Sequence, residues 1–331
     1  MSTSLDIVIL SGFLGSGKTT LLLDWLRQYP DEQVGIIVNE AGSIDIDGEL
    51  VHNAQVDKPI KRLPSGCLCC TLQSDVVDTV MELLDAKYEL DSKPLEKIII
   101  ETSGLSKPIS IVSPLLNSEL RRLNLNIQVV CVFDQLNGVE RINHSAEAAT
   151  QLASAQRIVF NKLDIPLSSP LDSMISAVRA INPLAELYIS NDRSSVLENL
   201  FSRQVGYSIN NAHELLFLMP KRFAYQHPNI KIFSKTYPGS YDLTDIAEKI
   251  EDLSFMLSER LLRSKCIFSI RGVGTVLMQS VGYIFSNPQL LNENHAFNNQ
   301  VVFICQDIEE TELERVFDRV FNMQELDCLV L

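Results

Sequence analysis

Basic residues are scarce in this chain: 28 Lys and Arg stand against 42 Asp and Glu in 331 residues, a formal net charge of −14. With no basic stripe to neutralise phosphates, this charge argues against a nucleic-acid partner, and none is expected. Long apolar runs are missing too. None approaches the roughly 20 residues that a membrane-spanning helix needs. The N-terminus has neither the basic flank nor the apolar core of an export signal. A cytoplasmic protein with no membrane partner is expected. Cysteine is sparse and odd in number, seven in all, which argues for reduced thiols rather than a disulfide framework. His213 and His227 stand isolated and read as loop residues, not ligands. The single tryptophan, Trp25, is assigned to a core. No internal repeat or low-complexity tract is present, so neither a repeat array nor a biased linker is expected.

What remains is an ordinary globular composition, 46% hydrophobic, long enough for two domains. Short apolar runs alternate with helical patterns over the first two hundred residues, which implies α/β architecture with a mostly parallel sheet covered on both faces. Strands are expected at Leu5–Leu10, Val34–Asn39, Lys97–Glu101, Ile127–Phe133, Arg157–Phe160 and Glu186–Ile189. Helices are expected from Lys18 to Tyr29 and from Thr71 to about Tyr88, the latter with Leu72, Val76, Val80, Leu83 and Leu84 on one face. The pattern loosens around Ser202–Pro228. The expected division is therefore 1–203, a linker at 204–229, and a smaller α+β domain at 230–331. That last part reads as strand (Lys231–Tyr237), helix (Leu243–Leu257), strand (Cys266–Arg271), strand (Thr275–Phe285), strand (Gln300–Cys305), helix (Glu310–Phe321), close to a split βαβ.

Ser11 to Thr20, directly after the first strand, reads SGFLGSGKTT. It fits G-x-x-x-x-G-K-[ST] in the strand–loop–helix context that pattern requires. Backbone N–H groups of Gly12, Gly15, Ser16 and Gly17 would converge on phosphate, aided by the N-terminus of the following helix. Lys18 would reach the outer phosphates, Thr19 would offer its hydroxyl to Mg²⁺, and Thr20 completes the motif. Two further segments belong with it. Ile98–Gly104 is a buried strand ending in Glu101, a carboxylate fit for the Mg²⁺ shell, with Gly104 placed to sense a γ-phosphate. Asn161-Lys162-Leu163-Asp164 has the spacing that suits guanine. The Asp164 carboxylate would accept from both guanine N1–H and the exocyclic amine. Adenine has no donor at N1 and would leave that carboxylate unpaired, at about 1.5–3 kcal/mol. Lys162 would lie along the base, and Asn161 would bond its other edge. GTP, with Mg²⁺, is the expected ligand.

Cys67, Cys69 and Cys70 place three thiols in four residues ahead of the helix near Thr71. A helix N-terminus and a bound cation both favour thiolates. Soft sulfur suits Zn²⁺ or Cu(I) better than Mg²⁺. Three sulfurs leave a tetrahedral zinc site one ligand short, as a transient site requires. Glu40, Asp45, Asp47, His52 and water are all candidates for the fourth position. The competing readings are a redox-sensing pair or plain packing, although adjacent Cys69 and Cys70 suit a disulfide poorly. Cys131, Cys266, Cys305 and Cys328 sit in apolar surroundings and read as core.

The chain resembles the CobW-like family of P-loop GTPases, relatives of the GTPases that insert nickel into urease and hydrogenase. The matching residues are Gly12–Thr20, Asn39-Glu40-Ala41-Gly42, Gly66–Cys70, Glu101–Leu105 with Pro108, Asn161–Asp164, Leu261–Lys265, Val281-Gly282 and Val301–Ile304. Ser43 stands where members usually carry an acidic residue, and Cys266 where they carry glycine. The resemblance implies GTP hydrolysis with Mg²⁺, zinc or a related metal on the cysteine motif, and delivery to a client metalloenzyme or other metal-receiving protein. A homo-oligomer is left open. Two hypotheses follow: a GTPase metallochaperone, with Lys18, Thr19 and Glu101 catalytic, or a GTP-gated activator of a client enzyme that carries no metal itself. No water-positioning residue or arginine finger is evident, so intrinsic turnover is expected to be slow. A small-molecule kinase is disfavoured by Asn161–Asp164.

Overall fold

The computed structural model describes residues 5–39, 59–63, 72–89, 94–117, 120–123, 125–167, 169–202, 227–291 and 299–321. The chain divides into two compact units, Met1–Ile175 with Ala185–Val205, and Ser176–Leu184 with Gly206–Leu331.

The first unit is built on a seven-stranded sheet in which every pair is parallel. Its strands are β1 (Asp6–Ser11), β2 (Val34–Asn39), β3 (Ile60–Leu63), β4 (Lys97–Glu101), β5 (Asn126–Asp134), β6 (Arg157–Asn161) and β7 (Glu186–Tyr188), in the order β3-β2-β4-β1-β5-β6-β7. In chain order, helices α1 (Lys18–Gln28), α2 (Leu72–Glu89), α3 (Pro108–Val112), α4 (Gly138–His144), α5 (Ala146–Ser154), α6 (Leu171–Ile181) and α7 (Arg193–Leu200) lie between and after them, the division of the chain falling within α6. Strands buried on both faces must be apolar nearly throughout, and β1 is buried along its whole length. The register sets Leu10 beside Glu101 and Ser11 beside Cys131. The C-terminal ends of β1, β4 and β5 therefore form one rim, where open α/β sheets bind ligands. Helix α1 buries Leu21, Leu22, Trp25 and Leu26 against β1, β2 and the end of α7. Trp25 packs edge-on against Phe201 at 5.0 Å between centroids.

The strands and two helices read from the sequence are present, with ends shifted by one or two residues. The sequence pattern misses β3, a four-residue strand with two basic residues, and several helices. Helix α3 has only five residues, too few for a period to show. Helix α5 spans nine residues whose apolar side is mostly alanine, and its polar side, Thr150, Gln151 and Ser154, is buried as well, so the strong apolar stripe that marks a surface helix is missing.

In the second unit, β8 (Ile230–Tyr237), α8 (Leu243–Leu257), β9 (Leu261–Ile270), β10 (Gly274–Val281), β11 (Ile284–Phe285), β12 (Gln289–Leu291), β13 (Asn299–Gln306) and α9 (Glu310–Phe321) follow in order. The sheet runs β11-β10-β9-β13-β8, with β12 on β10. Strand β13 is antiparallel to both β8 and β9 and lies between them, so β8–α8–β9 is a split βαβ. Ile246, Ile250 and Leu253 of α8 and Leu313, Phe317 and Phe321 of α9 share one core with Phe268, Met278 and Phe303 of the sheet. Two expectations are corrected here. Strand β9 starts at Leu261, not Cys266, because Arg263, Ser264 and Lys265 are buried polar residues that interrupt the apolar run; Ser264 and Ser280 pair through their hydroxyls at 2.7 Å. The expected strand Thr275–Phe285 is broken between β10 and β11 by a turn in which Gly282 has φ 55°, a left-handed position that suits glycine.

Candidate nucleotide site

The loop after β1 is shaped by contacts that exclude side chains. Gly12 has φ 140°, and a Cβ there would lie 2.6 Å from the Val132 carbonyl oxygen. Gly17 has φ 95°, and its Cβ would collide with Asn161 Nδ2. Both positions need glycine. Ser16 N donates to the Phe13 carbonyl at 3.1 Å and tightens the turn. The buried Ser16 Oγ has no hydrogen-bond partner among the described residues. An orphaned hydroxyl on a glycine-lined cradle fits a phosphate group.

Lys18 is buried. Its Nζ donates to the Gly12 carbonyl at 2.8 Å and the Phe13 carbonyl at 3.3 Å. Burial pushes its pKa down, against the opposing pull of Glu101. Thr19 Oγ1 donates to Glu101 Oε1 at 2.5 Å, across 82 residues of sequence. A hydroxyl and a carboxylate in this pairing are hard oxygen donors of the kind Mg²⁺ takes. Thr20 is exposed on α1.

Gly104, just past β4, packs directly on the phosphate loop: a Cβ there would lie 2.5 Å from Leu14 N. The Gln151 amide of α5 donates to the carbonyls of Gly104 and Ser106, each at 3.0 Å. Thr102 N donates to the Leu10 carbonyl at 3.0 Å. The segment after Glu101 is thus tied to both β1 and α5.

At the end of β6, Asn161 Nδ2 donates to the Ser16 carbonyl at 2.8 Å, and Asn161 Oδ1 accepts from Arg193 Nη1 at 2.9 Å. Lys162 takes a left-handed backbone, φ 63°. Its Nζ donates to the Gly15 carbonyl at 2.8 Å and to Asp134 Oδ2 at 3.0 Å. Asp164 is exposed beside them. Phosphate loop, Glu101, Gly104, Asn161 and Lys162 are therefore brought together by four adjacent strand ends. Cys67, Cys69 and Cys70, with Glu40, Asp45, Asp47 and His52, lie outside the described residues, as do His213 and Cys328. Among the described residues no cluster of three or more His, Cys, Asp or Glu is placed to hold a metal. The buried Cys131, Cys266 and Cys305 are free thiols. Buried His227 accepts at Nδ1 from Asn229 N at 3.2 Å. No described helix is long and apolar enough to cross a membrane.

Three residues at this site escape the sequence reading. Asp134 ends the apolar run of β5 as Glu101 ends that of β4, a signal open to reading. Gln151 and Arg193 carry no local signal, since their partners are tens of residues away.

A phosphate loop at the central strand of a parallel sheet, with a carboxylate closing the adjacent strand, defines a P-loop nucleotide-binding protein. Residues 6–188 match the CobW/HypB/UreG nucleotide-binding domain, and residues 230–321 match the cobalamin synthesis protein cobW C-terminal domain. The chain belongs to the CobW/HypB/UreG family, as its resemblance implied. It is 25% identical over 319 residues to the zinc chaperone YjiA of Escherichia coli, covering 94% of this chain and 97% of that protein. It is 31% identical over 189 residues to the zinc chaperone CobW of Pseudomonas aeruginosa, about half of each chain (48% and 49%). The crystal structure of the Zn(II)-bound YjiA GTPase from E. coli shares the fold, with a TM-score of 0.66 over 96% of this chain and 99% of that one, at 20% identity.

Proposed function

We propose that this protein binds and hydrolyses GTP with Mg²⁺, carries zinc on Cys67, Cys69 and Cys70, and passes it to a client protein. The observation that carries the nucleotide part is the hydrogen bond from Asn161 to the Ser16 carbonyl. It joins the Asn-Lys-x-Asp loop to the phosphate loop, so a base against one sits at a fixed distance from phosphates in the other. Lys18, released from the Gly12 and Phe13 carbonyls, would bind the outer phosphates. Thr19 and Glu101 would hold Mg²⁺, which neutralises charge on the β- and γ-oxygens. Asp164 would pair with guanine N1–H and the exocyclic amine. Most of the rate enhancement would come from positioning and fixed charge, with slow intrinsic turnover raised by a partner.

The metal part rests on different support. Three thiols in four residues suit a soft cation, and relatives matched along most or half of this chain are named zinc chaperones. Zinc here is cargo. In sequence the thiols fall between the phosphate loop and Glu101, where GTPases keep segments that rearrange with the γ-phosphate.

The test is to measure GTP and ATP turnover, and zinc content after purification without chelator, for the natural chain and for Cys69→Ala and Cys70→Ala. The reading expects turnover selective for GTP and about one zinc that both substitutions remove. Equal turnover of ATP would defeat the guanine assignment. Normal client activation by zinc-free Cys69→Ala protein would favour the activator that carries no metal.

A further inference from the structure

Arg193 opens α7, 32 residues beyond Asn161, and takes no part in the motifs that suggested the nucleotide site. Its guanidinium nevertheless bridges two of the site's supports. Nη1 donates to Asn161 Oδ1 at 2.9 Å, while Nε and Nη2 donate to Asp24 Oδ2 at 3.1 and 2.6 Å. Asp24 stands on α1, the helix that begins inside the phosphate loop. On its other side, the Asn161 amide donates to the Ser16 carbonyl at 2.8 Å. A chain of polar contacts thus runs from α1 through Arg193 and Asn161 back to the phosphate loop.

The amide chemistry makes this arrangement directional. Arginine has donors only, so it requires the amide oxygen; a backbone carbonyl requires the amide nitrogen. Held at both ends, Asn161 has a fixed plane and a fixed polarity, and one of its two Nδ2 hydrogens remains uncommitted. With Arg193 removed, a single hydrogen bond would remain about which the amide pivots, and a buried oxygen would lose its partner. We propose that Arg193 is a positioning residue for base recognition. It holds Asn161 so that the spare N–H is presented to an acceptor on the purine, N7 of the five-membered ring. This rests on the guanine reading above and adds to it a specificity determinant contributed by α7.

The experiment compares binding of GTP, ATP and 7-deaza-GTP, in which a C–H replaces N7, for the natural chain, Arg193→Met and Arg193→Lys. The natural chain is expected to bind GTP about 5–10-fold more tightly than 7-deaza-GTP, the worth of one neutral hydrogen bond. In Arg193→Met that ratio is expected to fall to within about twofold of unity, with Arg193→Lys intermediate because one of its contacts is rebuilt. Preference for GTP over ATP, the work of Asp164, persists in both. A merely structural role would weaken all three nucleotides together and leave the ratio intact, which overturns the proposal. Should Arg193→Met fail to fold by circular dichroism, Asp24→Asn removes the far end of the clamp. A lowered ratio there supports the proposal, and an unchanged one overturns it. Equal binding of ATP and GTP by the natural chain defeats the guanine reading and the proposal with it. Guanine preference with no N7 effect defeats the clamp alone.

Discussion

Lys18 is buried, its pKa is pushed down by that burial, and its ammonium is held by two loop carbonyls. Neutral carbonyls compensate a desolvated charge only partly, so a phosphate oxygen would be a stronger partner. Lys18→Ala is expected to lower GTP affinity about 10–100-fold, the range of one charge-assisted hydrogen bond, as measured by titration calorimetry; an unchanged affinity contradicts the assignment. Gly104 makes a second test. A Cβ there would lie 2.5 Å from the Leu14 amide nitrogen, so Gly104→Ala must push the segment after Glu101 off the phosphate loop. GTP turnover is expected to fall at least tenfold with GDP affinity within threefold of normal, as the proposed role of Gly104 in sensing the terminal phosphate requires. The glycines and Lys18 are legible in the sequence because their spacing is local and their geometry admits few alternatives. Gln151 and Arg193 are not, because each acts on a loop that only the folded sheet brings near.

At the scale of elements, α8 and α9 were legible to the residue because local chemistry marks their limits. Asp242 caps α8 by accepting from Thr244 N at 2.8 Å, as N-cap side chains do. Strand β9 was legible only in its apolar half. Its polar residues are buried by tertiary placement, which a local pattern does not register. Phe317 of α9 stacks on Phe233 at 3.9 Å and meets Phe303 edge-on at 4.8 Å. Phe317→Ala is expected to destabilise the second unit by about 3–5 kcal/mol, read as an earlier urea transition in that unit's signal. Strand β13 supplies a pH prediction. Burial pushes the Cys305 thiol up to about 12, and the Cys131 thiol likewise. Above the unfolded value near 9 the unfolded chain gives up these protons while the folded chain keeps them, so stability falls as pH rises from about 9 toward 12. Each thiol adds a loss of roughly 1 kcal/mol per pH unit in that window. Cys305→Ala should be less stable at pH 8, yet lose stability less steeply from pH 9 to 11. An identical slope in a urea series contradicts the account.

For the whole molecule, the claim is that two ligands of opposite chemistry report on each other: a hard oxyanion on the phosphate loop and a soft cation on three thiols. Any difference in zinc affinity between nucleotide states must, by linkage, appear as an equal change in nucleotide affinity when zinc is bound. The sequence makes both proposed ligand sets visible because each is a compact motif. The proposed coupling is not visible there, because a local motif does not record how one site responds to the ligand of another. The most direct measurement is a zinc titration of the apo-protein with a non-hydrolysable GTP analogue, with GDP and without nucleotide. The account predicts affinities that differ by about 5–150-fold between the triphosphate and diphosphate states, with the difference abolished in Cys69→Ala. The same zinc affinity in all three states would contradict it.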